Sequence, residues 1–281
     1  MGDWIIFYGL IIFILGLCIG SFLNVVIYRL PKKLSVVWGR SFCPKCKKEI
    51  KWFDNVPLVS FILLKGHCRL CRSPISWQYP VVELATGGIF LLSYLSHLSF
   101  LSYILFAGLI AIFFIDLERQ TIPDEIVFPL IFLFLIFLLI TDRPSLIIDY
   151  LPSALLSFLF LYLIFLLTRG KGMGFGDVKL AFLMGLSLGF PKVVVAFYIA
   201  FLTGAFVGII LILVKKARFG QRIAFGPFLA LSTIFTFLWE EKFYALPKIF
   251  FFKRQFRYDS FGSYCRGRHI CHTGYSSRSF S

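Results

Sequence analysis

Residues 193–214 pass without one charged side chain, and this run limits what the chain can become more than any other feature. About 20 consecutive apolar residues are needed to cross a ~30 Å hydrocarbon core. Residues 126–140, reading IVFPLIFLFLIFLLI, extend the theme. A soluble core of 281 residues does not need a chain that is 59% hydrophobic and only 15% charged. The apolar runs predict about eight spans: near 4–28, 80–97, 99–115, 126–141, 147–168, 178–190, 192–214 and 226–246. The span at 178–190 is short, and Gly189-Phe190-Pro191 offers a hairpin into its successor. The start, Met1-Gly2-Asp3-Trp4, carries neither a basic region nor a cleavage site, so the first apolar run is expected to be retained.

Basic residues concentrate between spans. The segment 29–79 holds Arg29, Lys32, Lys33, Arg40, Lys45, Lys47, Lys48, Lys51, Lys65, Arg69 and Arg72, opposed by Glu49 and Asp54. Lys and Arg retain loops in the cytoplasm, so this segment is predicted cytoplasmic. Alternation puts 116–125, 169–177 and 215–225 on the same side, and each carries Arg or Lys. The opposite loops, 97–99, 142–146 and 189–192, are poor in them. The net charge of +15 is thus topological, and a nucleic-acid partner is not expected. Four regions follow: a first transmembrane helix at 1–28, a cytoplasmic cysteine-bearing domain at 29–79, a transmembrane domain at 80–246 and an atypical basic tail at 247–281. The tail has no periodicity and is expected to be disordered. The fold class is an all-α polytopic membrane protein with a small cytoplasmic zinc-knuckle domain after its first helix.

Cys43-Pro44-Lys45-Cys46 and Cys68-Arg69-Leu70-Cys71 form two C-x-x-C pairs. Four thiolates so spaced suit one tetrahedral Zn²⁺ and leave no open position for catalysis. A segment this small has little core of its own, so a structural metal would supply much of its folding energy. The knuckle either props up a loop or helps to position a substrate. Cys265, His269, Cys271 and His272 in the tail are not read as a metal site, and Cys18 is read as a packing residue.

Carboxylates beside spans are costly and need a reason. Asp116 ends the third apolar run and Asp177 opens the sixth, both at cytoplasmic ends by the charge argument. They can meet at one depth. Two carboxylates sharing a site hold one proton between them. The charged member activates water and the protonated one polarises a carbonyl, which is aspartic protease chemistry. Before Asp177, glycines alternate at 170, 172, 174 and 176. Gly174 and Gly176 permit close backbone approach, as an extended substrate strand requires. The bland alternative is a linker with Asp177 as a helix N-cap. Asp124 after Pro123 is read as a helix cap, and Glu83 either pairs with a basic loop residue or touches substrate.

With these residues in view, the chain resembles the bacterial type IV prepilin (leader) peptidases, GxGD-type aspartic proteases. The resemblance covers about residues 9–232 and rests on Gly20-Ser-Phe-Leu-Asn-Val-Val-Ile-Tyr-Arg-Leu-Pro31, on Cys43 through Glu83, on Asp116-Leu117 with Ile122-Pro-Asp124, on Gly172-Met-Gly-Phe-Gly-Asp177-Val-Lys-Leu180, and on Ala224 to Ala230. It implies an enzyme of the bacterial cytoplasmic (inner) membrane that removes the basic leader from type IV prepilins and pilin-like secretion or competence proteins after a glycine. It implies Asp116 and Asp177 as the catalytic pair and S-adenosylmethionine as donor for N-methylation of the new amino terminus. No nucleotide fingerprint in the residues shows that methylation. The competing class is a membrane scaffold or transporter with a structural zinc knuckle.

Overall fold

The computed structural model describes residues 2–141, 144–170, 172–214 and 224–239. The basic tail, the loop lysines and arginines at 215–222, Lys171 and residues 240–246 of the last expected span lie outside them.

Helix α1 (Gly2–Arg29) leads into an irregular segment with one short helix, α2 (Val59–Leu63). Seven longer helices follow: α3 (Gln78–Leu95), α4 (Phe100–Arg119), α5 (Asp124–Ile140), α6 (Pro144–Leu167), α7 (Phe175–Leu188), α8 (Lys192–Leu213) and α9 (Gly226–Leu238). No strand occurs among the described residues; the only pairings are isolated bridges, Phe42 with Glu49 and His67 with Pro74. Among the described residues, four helices are long and apolar enough to cross a membrane: α1, α4, α6 and α8.

The core is inverted relative to a soluble protein. Helix α7 is the most enclosed element, with Val178, Leu180, Ala181, Leu183, Met184 and Leu186 almost inaccessible. It packs against α5, α6 and α9, while α9 also meets α4 and α8. From α4, Leu105, Phe106, Leu109, Ile112 and Ile115 fill the same core. The outer faces of α1, α6 and α8 instead expose large apolar side chains such as Ile6, Leu156, Phe206 and Leu213. Left in water, such surface costs about 25 cal/mol per Å², so it belongs against lipid. Cys18, expected to pack, is on this outer face.

Small residues set the helix contacts. Gly16 and Gly20 of α1, four apart, lie against α3 so closely that a Cβ on Gly20 would sit 2.7 Å from the Glu83 Cα. The α6–α7 contact is similar: a Cβ on Gly185 would stand 2.6 Å from the Ala154 Cα, and the Ser153 hydroxyl donates to the Gly185 carbonyl at 3.1 Å. A three-residue reversal containing a cis Phe190–Pro191 bond joins α7 to α8.

The segment between α1 and α3 is ordered by polar pins. Arg29, only 5% exposed, donates to the carbonyls of Ser35, Trp38, Gly39 and Arg40 at 2.7–3.3 Å. Arg69 grips both oxygens of Asp54, with its shortest contact at 2.6 Å. Glu83 on α3 accepts the Leu58 backbone N–H at 2.9 Å and ties the segment to the bundle.

Candidate active site

Helix α4 runs on through its charged end, so Asp116 lies in its last helical turn. Its backbone carbonyl accepts the Gln120 N–H at 2.8 Å, and Gln120 adopts a left-handed conformation (φ 55°) that turns the chain off the helix. The loop 120–123 then returns across the start of α7. There Gly176 meets Ile122: a Cβ at 176 would come within 2.9 Å of the Ile122 Cβ. Gly176 is thus a contact point between the two aspartate-bearing elements. Gly174 takes an ordinary extended conformation (φ −79°, ψ 151°), open to any residue.

Asp177 is the third residue of α7, with Gly174 as the N-cap. Its Oδ2 accepts the Gly174 N–H at 3.2 Å, the half of a capping box that a glycine cap permits. Asp124 does not cap α5; Pro123 holds that position and Asp124 is the first helical residue. Its carboxylate instead receives Lys179 of α7 at 2.7 and 2.8 Å, and the ammonium lies 5.2 Å from the ring centres of both Phe128 and Phe175. This ion pair bridges α5 and α7 beside the aspartates.

Asp116 and Asp177 are 4% and 6% exposed, and both line one cavity of about 530 Å³. Gly174, Gly176, Thr121, Ile122, Lys179 and Phe225 contribute to its walls. Asp116 Oδ2 is fully buried and has no hydrogen-bond partner among the described residues. A buried carboxylate oxygen without a partner is expensive and needs a reason. Gly226, at the start of α9, packs directly on Asp116: a Cβ there would stand 2.6 Å from Asp116 Oδ2. Gly226 was not identified as a site residue from sequence. Its only sequence signal is a glycine before Pro227, which explains a helix start equally well.

The four sulfurs of Cys43, Cys46, Cys68 and Cys71 lie within 4.8 Å of one another, with Cys43 and Cys71 3.9 Å apart. Metal–sulfur bonds of about 2.3 Å in a tetrahedron place sulfurs about 3.8 Å apart, so the cluster could hold a metal ion. Both cysteine turns share one backbone design. The Lys47 N–H returns to the Cys43 carbonyl at 2.8 Å, and the Arg72 N–H returns to the Cys68 carbonyl at 2.9 Å. Lys47 and Arg72 are both left-handed, with φ of 57° and 53°. The Ser73 hydroxyl, 3.1 Å from the Cys71 sulfur, helps to draw that thiol down to about 6 and favours the thiolate a metal needs.

Comparison with known proteins divides the chain in two. A profile of the bacterial peptidase A24 N-terminal domain matches residues 14–97, and that of the type IV leader peptidase family matches residues 103–209. A prepilin leader peptidase/N-methyltransferase of Aeromonas hydrophila is 35% identical over 267 residues, covering 83% of this chain and 91% of the relative. Proteins of the same name from Pseudomonas aeruginosa and Legionella pneumophila are each 34% identical over 265 residues, covering 82% and 83% of this chain and 89% and 92% of the relatives. No solved structure matches the chain.

Proposed function

The chain belongs to the type IV leader peptidase family, and on that premise we propose that it is a membrane aspartic endopeptidase that removes the basic leader from type IV prepilins and pilin-like proteins after a glycine. Membership of an enzyme family sets aside the scaffold or transporter reading. The carrying observation is that two buried carboxylates from different helices line one cavity.

The helices α1 and α3–α9 are taken as eight spans, with the Arg29 end of α1 and the Asp116 end of α4 at the cytoplasmic face of the bacterial inner membrane. The substrate's apolar helix lies among the spans while its basic leader stays in the cytoplasm. Its cleavage site unwinds beside Gly174 and Gly176. Asp116 and Asp177 hold one proton between them and a water between their oxygens. The ionised carboxylate takes a proton from that water as its oxygen bonds to the carbonyl carbon of the leader's glycine. The protonated carboxyl donates to the carbonyl oxygen. The C–N bond then breaks, and the leaving amine takes a proton from the pair.

The four cysteines are assigned to a structural zinc ion that would hold the two cysteine turns of residues 29–79 together. Methylation of the new amino terminus is the second activity proposed, since the relatives' names include it. S-adenosylmethionine would supply the methyl group.

The test is cleavage of a co-expressed prepilin by the wild type, Asp116→Asn and Asp177→Asn, read by intact mass. Loss of at least about a thousandfold in both variants is expected, because each half of the dyad is needed for the same step. Wild-type cleavage by either variant would overturn the aspartyl mechanism.

A further inference from the structure

Residues 29–79 carry positive charge that nothing else on the described protein answers. Both acids of the segment are engaged, Glu49 by Arg40 at 3.2 Å and Asp54 by Arg69 at 2.6 Å. Its lysines form no ion pair among the described residues. A dication among four thiolates would leave net negative charge, and Lys45, Lys47, Lys48 and Arg72 of the two cysteine turns offset it. Lys32, Lys33, Lys51 and Lys65 remain. Lys32 and Lys33 follow the end of α1, Lys51 directly precedes Trp52, and Lys65 stands two residues beyond α2.

Beside these cations the segment presents apolar side chains to solvent. Trp52, Ile62, Leu63 and Trp77 are 71–82% exposed. They belong to one connected stretch of the segment. The Trp77 ring packs on Phe61 of α2 with centroids 5.1 Å apart, and α2 packs against the helical turn Trp52–Asn55. Phe61 is the half-buried member of α2, and Ile62 and Leu63, next along the helix, are left outside. The stretch begins at the bundle, because Trp77 directly precedes α3. Tryptophan beside lysine is the composition of a membrane interface, where the ring lies among headgroups and the ammonium meets phosphate. Any soluble partner would have to reach a face that starts one residue from a membrane helix, where lipid is already present.

We propose that Trp52, Ile62, Leu63 and Trp77, with Lys51 and Lys65, dock on the anionic phospholipid headgroups of the protein's own membrane. The inference rests on the reading of α1 and α3–α9 as spans. Charge complementarity selects the anionic lipids, and salt weakens the attraction. The apolar side chains enter the boundary between headgroups and acyl chains, as the apolar face of an interfacial helix does. A segment that buries only Cys43 among its apolar residues thereby gains from lipid an enclosure that the protein does not supply.

Amide hydrogen exchange of the full-length protein tests this, in nanodiscs of phosphatidylcholine alone and of phosphatidylcholine mixed with phosphatidylglycerol. We expect residues 52–63 to exchange about tenfold more slowly in the anionic discs at low salt, and the difference to fade at high salt, with α7 unchanged throughout. Lys51→Gln with Lys65→Gln should remove most of that difference. Ile62→Ser with Leu63→Ser should remove the protection in either lipid, and both side chains are exposed, so the fold stays in place. Brominated phosphatidylglycerol should quench a share of the tryptophan emission that is lost in Trp52→Phe, which reports the contact itself. Equal exchange in both lipids overturns the proposal, and so does quenching that is the same in Trp52→Phe. Protection that appears only with two copies per disc gives the face to a second copy, and protection that appears only with an added prepilin gives it to substrate; either overturns docking on lipid. If α1, α4 and α8 exchange as freely as peptide in water, the span reading falls and the docking with it.

Discussion

The helix bundle and the cysteine-bearing segment reach order by opposite routes. In the bundle, Leu105, Ile112, Leu183 and Leu229 are buried by close helix packing, with glycines 185 and 226 admitting neighbours that a methyl group would exclude. The segment between α1 and α3 buries only Cys43 among its apolar residues and exposes Trp38, Trp52 and Ile62. It relies on Arg29, on the Asp54–Arg69 pair, on Glu83 and on four converging sulfurs. A packed region tolerates loss of one polar contact but not added volume. A pinned region tolerates volume but not loss of a pin.

The largest test of the contrast is removal of metal. A chelator is expected to unfold residues 29–79, since such sites supply about 10–16 kcal/mol of apparent folding energy, while the bundle stays helical. Limited proteolysis set beside circular dichroism reads both at once; protection of the segment without metal would break the comparison. The pH sign follows from the thiols. Acid protonates the thiolates that a metal needs, so metal retention falls as pH drops. Metal content after gel filtration at stepped pH checks this.

Next comes Gly226→Ala, which intrudes on Asp116 from the bundle side. Displacing a catalytic group by an ångström costs about a hundredfold, so leader cleavage should fall by that much with metal content unchanged. Arg29→Lys is the matching lesion in the segment. It replaces a fork serving four carbonyls with a single ammonium and should destabilise residues 30–40 by about 1–3 kcal/mol, read as faster amide exchange there and not in α7. The smallest effect is expected from Lys179→Met. The ion pair with Asp124 is partly exposed and worth about 1 kcal/mol, so cleavage should fall no more than about fivefold. A hundredfold loss would make Lys179 part of the catalytic machinery.

The helices were legible because long unbroken apolar runs satisfy their backbone in lipid as helices, and the expected ends at 28, 97 and 214 fall within two residues of the observed ends at Arg29, Leu95 and Leu213. The cysteine pairs were legible because metal geometry imposes local spacing. Asp116 and Asp177 were found through topology, which reports depth without reporting distance. What stayed hidden were contacts between residues far apart in the chain. Arg29 reads as a topological charge yet is a buried pin, and Asp124 reads as a cap yet pairs with Lys179, 55 residues on. Gly226 meets Asp116 only because α9 packs against α4. Crossing angles and registers decide such contacts, and no periodicity encodes them.

Helix α7, which carries Asp177, is 14 residues long and sheathed by its neighbours along most of its length. At 1.5 Å per residue it spans about 21 Å, well short of a bilayer core. Lipid acyl chains therefore press on α1, α6 and α8, which tilt to absorb changes in thickness, and have little direct purchase on α7. On the proposed mechanism, the depth at which peptide bonds are cut is set by protein against protein, so changes in lipid thickness would leave it in place.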